Sequence, residues 1–308
     1  MMKKLLISSI LSILFLSSLY SQIEHAQSQI KGQIVSRKGF TVSYNETHEQ
    51  ANWVAYELTE SELNGSAKRT NNFSKDPRIK TGSALSSDYT NSGYDRGHLA
   101  PAADMTWSQS VMRESFYMTN ISPQQPGFNR GIWKKLESYV RQWAYDNQSI
   151  YIVTGGILSQ TSGKIGSSGV SIPNYFYKVI LDYTKPEIKG IAFILPNQSS
   201  KRSIQSYAVT IDKVEEMTGI DFFYKLPDNI EQKVESEFNL YQWNFKSYKP
   251  PPSSEKTINL PFVDPIGTLD SFLTPKTSIT TQCLGITQKG ERCKRKTKDP
   301  SGYCYQHD

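Results

Sequence analysis

Asp95, Arg96, Gly97 and His98 follow one another in the stretch GYDRGHLAPAADM, on a chain of 308 residues that carries only four histidines. An unperturbed histidine titrates at about 6.5, which makes it the natural proton acceptor near neutral pH. The planar fork of Arg96 matches a pair of phosphate oxygens, and its charge suits an anion that grows in a transition state. Gly97 would let the backbone turn and leave the imidazole open to a bulky polymer. Asp95 could orient or balance its neighbours. These types meet the needs of phosphodiester hydrolysis: a base for water, positive charge for the phosphorane, and help for the leaving oxygen. A polar loop with an idle histidine would contain the same residues, so the rest of the chain has to decide.

The elements that must position this set can be read around it. MTNISPQ puts Asn120 at the end of an expected strand, and FNRGIWKKLESYVRQW puts Asn129 at a helix start. The helix is predicted from about Asn129 to Asp146, because Ile132, Leu136, Tyr139, Val140 and Trp143 recur at spacings of three and four. Asn129, Trp133 and Glu137 stand at i, i+4 and i+8, a slowly drifting stripe on which Glu137 lies about two turns from Asn129. Asn129 could cap the helix, or its amide oxygen could ligate a hard cation. Glu137 could belong to the same site, or pair on the surface with Arg141 four residues on. FTVSY and NWVAYELT, joined by a turn at NETHEQ, read as strands, as do SFYMTN, SIYIVTGG, FYKVILDY and GIAFILP. A second helix is predicted from Thr210 to Met217, ended by Gly219. Without regular β-α alternation the class is α+β.

The ordered series DRGHLAP, TNISPQ, then FN leading to W and LE, resembles the DNA/RNA non-specific endonucleases, the ββα-metal (His-Me finger) nucleases that include endonuclease G. The resemblance spans residues 30–245 and implies a central antiparallel sheet flanked by helices. It implies a phosphodiester hydrolase acting on DNA and RNA, leaving 5′-phosphates and using Mg²⁺, or Mn²⁺ in its place. By position, His98 would be the general base, Arg96 a phosphate ligand, and Asn129 the direct protein ligand of the metal. Asn120 would be a second active-site asparagine, and Glu137 the helix glutamate that holds the water shell of the metal. Arg69, in KRTNNFSKDPRI, matches a further substrate-contacting arginine, although Arg78 is close by. Asp95 and Arg141 complete the expected substrate-binding set. A homodimer is compatible with the family. The other readings are a catalytically weak nucleic-acid-binding protein or a delivered antibacterial toxin on the same fold. The full set of His98, Arg96, Asn129 and Glu137 argues against an inactive relative.

The ends differ from the middle. MMKKLLISSILSILFLSSLYS has the layout of a signal peptide over residues 1–21: two lysines, a short apolar run, then small residues. The run is short and serine-rich for a membrane span, so the mature protein is expected to be secreted or periplasmic with no stable membrane association. KSYKPPPSSEK opens a Pro/Ser-rich linker over 246–282. Residues 283–308 form a separate unit in which Cys283, Cys293, Cys304 and His307 could bind Zn²⁺ as a Cys3His set, or two of the cysteines could form a disulfide. The net charge of +6 is concentrated at these ends: the last 26 residues hold six Lys/Arg against three acids, and Lys3 and Lys4 add two more. The remainder is close to neutral, so an anionic substrate would need a local patch there. With 37% hydrophobic and 12% aromatic residues, a packed core is expected.

Overall fold

The computed structural model describes residues 27–28, 32–184, 186–250, 281–282, 293–294 and 296–297. The chain divides into two compact units, residues 1–250 and 251–308. In the first unit the strands are β1 (Gln27–Ser28), β2 (Gln33–Ser36), β3 (Thr41–Asn45), β4 (Gln50–Thr59), β5 (Asp95–His98) and β6 (Ile121–Gln124). They continue with β7 (Ser149–Gly156), β8 (Thr161–Ile165), β9 (Val170–Pro173), β10 (Tyr175–Asp182), β11 (Lys189–Pro196), β12 (Ala208–Val209) and β13 (Ile220–Asp221). The α-helices are α1 (Gln109–Glu114), α2 (Lys134–Asn147), α3 (Ile211–Thr218) and α4 (Asp228–Ser236).

Seven strands form one antiparallel sheet in the order β12-β11-β10-β7-β4-β3-β2. Its central strands are covered on both faces, so their apolar residues split by alternation. Val54, Tyr56 and Leu58 of β4 meet Ile150 and Ile152 of β7, Phe176 and Ile180 of β10 and Phe193 of β11 on one face, under Leu136, Val140 and Trp143 of α2. Trp53, Val153, Val179 and Ala192 face the other way, against Ile211 and Val214 of α3 and Val234 of α4. The three-to-four spacing read in α2 is therefore the stripe that docks on the sheet. Lys178 shares the parity of Phe176 and Ile180, so it points into the α2 side.

The β5–β6 pair stands apart as a two-stranded ribbon with Asp95 opposite Gln124 and His98 opposite Ile121. Together with α2 it makes the ββα unit. Gly97 is needed here for space, not for turning, because a Cβ would lie 2.2 Å from Cδ of Gln124. Two expectations need correction. SFYMTN is not a strand: residues 118–120 form a tight helical turn, and strand pairing starts at Ile121. The helix expected from Asn129 begins instead as a wide turn over Phe128–Trp133, kinked at Gly131 (φ −108°, ψ −107°), before α2 starts at Lys134. A glycine without a side chain to crowd the turn tolerates that kink.

In the second unit, Thr281–Gln282 pairs antiparallel with Lys296–Thr297, two short strands β14 and β15. Cys293 is buried. Cys283, Cys304 and His307, like residues 1–26 and 251–280, lie outside the described residues.

Candidate active site

Alternation along β5 places Arg96 and His98 on one face and Asp95 and Gly97 on the other. His98 is 8% exposed, with its ring edge-on to Phe116 at 4.7 Å and tilted on Phe73 at 5.6 Å. Its Nε2 has no hydrogen-bond partner among the described residues. Burial, reinforced by the nearby charge of Arg69, pushes its pKa down to about 3. The imidazole is therefore neutral at physiological pH, with burial and the Arg69 charge both opposing its protonation. By contrast, His48 binds the Ser171 hydroxyl through Nδ1 at 2.9 Å and is part of the scaffold.

Two arginines border the imidazole. The Arg69 guanidinium lies 4.9 Å over the Phe116 ring and donates from Nε to Asn71 at 2.7 Å. Arg78 is used elsewhere, donating to the Ser36 carbonyl at 2.5 Å, so Arg69 is the arginine that reaches this site. Arg96 lies 5.5 Å over Phe73 and spends Nε and one Nη on the Ser86 carbonyl, at 3.2 and 2.7 Å. These bonds fix the plane of its guanidinium.

On the opposite face of β5, Asp95 accepts from Nδ2 of Asn129 at 2.9 Å and from Arg130 at 2.8 and 2.6 Å. Against the upward push of burial, these hydrogen bonds hold Asp95 below the usual carboxylate range. The bonds of Asp95, expected among the substrate-binding residues, thus go to Asn129 and Arg130, and they orient the Asn129 amide. Asn129 does not cap a helix. Its backbone N–H bonds Gln125 in the wide turn at 2.9 Å, and its side chain is pinned by its nitrogen, leaving the amide oxygen for another partner.

Glu137 occupies the first turn of α2 with its carboxylate among Lys178, Arg141, Asp104 and Arg69, and no hydrogen bond to the described residues holds it. Burial pushes Glu137 up and Lys178 down, and the attraction between the two opposes both shifts. Lys178 is fully buried, donates to the Leu99 carbonyl at 3.4 Å and sits 4.8 Å over the Trp133 ring. The surface pair between Glu137 and Arg141 does not form. Arg141 instead bonds buried Asp104 at 2.8 Å, and Asp104 also accepts from the Tyr56 hydroxyl at 2.9 Å. Arg141 thus serves the support of the site, not its surface.

Asn120 is wholly buried and spends its amide on the scaffold, accepting from Ala100 N and donating to Ala100 O and Ser115 O, each at 2.9 Å. It staples the segment after His98. Sequence reasoning missed Lys178, Asp104, Phe73 and Phe116. Lys178 had a signal, a lysine at a core-facing position of the strand YFYKVILD. The aromatic walls had none, since they come from segments far from His98 in the chain.

A buried neutral histidine on the first strand of a ββα unit, a glutamate on its helix, an oriented asparagine in the turn between, and arginines beside the histidine define a ββα-metal nuclease. The chain belongs to the DNA/RNA non-specific endonuclease family, whose model matches residues 20–229. It is 35% identical over 216 residues to a nuclease of Nostoc, covering 66% of this chain and 78% of the relative. It is 32% identical over 205 residues to human mitochondrial endonuclease G, covering 62% and 69% respectively. The structure of endonuclease G in complex with the inhibitor EndoGI superposes with a TM-score of 0.63 at 28% identity, over 68% of this chain and 93% of that one. The chain is accordingly a nuclease of α+β fold.

Proposed function

We propose that the protein is a secreted, Mg²⁺-dependent endonuclease that hydrolyses DNA and RNA without sequence preference and leaves 5′-phosphates. The observation that carries this reading is His98: an imidazole held against Phe73 and Phe116 with an unpartnered ring nitrogen, and with the Arg69 guanidinium over the same Phe116 ring. In this reading His98 accepts the proton of the attacking water. Arg96 and Arg69 meet the charge that grows on the phosphate. The residues present suit a hard divalent cation, because Asn129 and Glu137 offer oxygen donors that no hydrogen bond to the described residues occupies. Mg²⁺ held there would supply Lewis-acid stabilisation of the charge that develops on the phosphate. Asp95 holds the Asn129 amide in the orientation that presents its oxygen. Contacts confined to phosphate groups carry no base information, which fits the lack of sequence preference.

Export rests on residues 1–21. Among the described residues no helix is long and apolar enough to cross a membrane. The Cys3His reading of the tail stands on its four ligand types, with Zn²⁺ as a structural ion distinct from the catalytic one. The test is cleavage of supercoiled plasmid and of total RNA with Mg²⁺, with EDTA, and by the His98→Ala variant. Both substrates are degraded only with metal, and the variant loses about 10²–10⁴-fold in turnover while its circular dichroism is retained. A variant that keeps wild-type turnover overturns the role of His98.

A further inference from the structure

On the sheet face opposite α2, the helices α3 and α4 bring five carboxylates together. Asp212 and Glu215 stand at i, i+3 on α3, and Glu231 and Glu235 at i, i+4 on α4, with Asp221 on β13 between the helices. Carboxylate oxygens of Asp212, Glu215 and Glu235 all lie within 4.8 Å of one another, as do those of Asp221, Glu231 and Glu235. Glu235 is common to both sets, is 7% exposed, and has a buried Oε1 with no hydrogen-bond partner among the described residues. An acid buried in this way without a partner is costly unless a cation or a proton joins it. The charged groups that act on it most strongly, Glu215, Glu231, Asp221 and Asp212, are all acidic. Glu215 uses Oε1 to accept from Phe222 N at 2.8 Å, which leaves its second oxygen for the cluster.

We propose that the carboxylates gathered around Glu235, Asp212 and Glu215 on one side and Asp221 and Glu231 on the other, hold Ca²⁺ between α3 and α4, separate from the active site. The donor set is all oxygen, the preference of a hard cation, and the number of carboxylates selects between ions. Ca²⁺ takes several protein carboxylates at once, whereas Mg²⁺ keeps several waters and binds through one or two.

The test is thermal unfolding of the full chain in EDTA and in rising Ca²⁺. Wild type gains Tm saturably with Ca²⁺ in the range of about 0.1–10 mM. Glu235→Gln raises Tm in EDTA, because it removes an acid that burial disfavours, and abolishes the Ca²⁺ response while Mg²⁺-dependent cleavage is unchanged. Asp212→Asn, on an exposed residue that folding does not need, shifts the Ca²⁺ midpoint upward by about tenfold. Asn129→Ala, which alters the active site only, keeps the Ca²⁺ response. No gain in wild type overturns the proposal. So does a gain that survives in Glu235→Gln and Asp212→Asn and disappears in Asn129→Ala, since that would assign the ion to the active site.

Discussion

At the scale of single residues, the protein controls its chemistry by deciding which groups may carry charge. His98 is the clearest case. An ordinary imidazole is half protonated near pH 6.5, but burial between Phe73 and Phe116, with Arg69 adding positive charge, moves His98 to about 3. Because the folded value lies below the unfolded one, stability is lost as pH falls from about 6.5 towards 3, while the neutral base persists through that window. Imidazole nitrogen shifts in NMR should therefore show His98 as a neutral ring down to pH 5, and an inflection near 6.5 would mean that water reaches it freely. Asp95 controls the second group. Asp95→Ala releases Nδ2 of Asn129 and should raise the Mg²⁺ concentration for half-maximal cleavage about 10–100-fold, as loss of an orienting partner does at other metal sites. An unchanged Mg²⁺ requirement would detach Asn129 from the metal.

At the scale of elements, the β5–β6 ribbon is held by close approach as well as by its ladder. The Gln124 side chain lies where a Cβ on Gly97 would go, so Gly97→Ala must displace it. The expected cost is about 1–3 kcal/mol, read as a lower Tm, and Gln124→Ala in the same chain should recover part of it. A Gly97→Ala variant with wild-type Tm would show that the ribbon is looser than its packing. Buried Asn120 locks the segment that follows His98 to the turn before β6. The kink at Gly131 then lets Asn129 face Asp95 while Glu137 still lies in the first turn of α2. A straight helix from Asn129 would fix the angle between these two residues by periodicity alone. The wide turn frees it.

For the whole molecule, the seven-stranded sheet separates two kinds of polar chemistry. One face carries α2, with Glu137 in its first turn and the buried Lys178 beneath Trp133, and the other carries the α3–α4 acids. Every residue proposed for catalysis lies in the unit of residues 1–250. A chain ending at Pro250 should therefore retain its far-ultraviolet circular dichroism and its Mg²⁺-dependent cleavage of plasmid. Loss of cleavage with the fold intact would assign the basic tail a part in holding substrate.

The family of this protein was legible in its sequence because short-range order carries it. DRGH, TNISPQ and the FN–W–LE spacing are local patterns, and they sufficed for the family. The strands SIYIVTGG, FYKVILDY and GIAFILP were equally plain, since burial on both faces writes a continuous apolar run. The neutral state of His98 was not legible. It depends on Phe73, Phe116 and Arg69, and sequence spacing does not say which distant aromatics exclude water from a ring. Nor were the partners of Asp95, Asn120 and Arg141. Each has a side chain equally suited to substrate or scaffold, and only the partners supplied by folding, Asn129, Ala100 and Asp104, decide which role it takes.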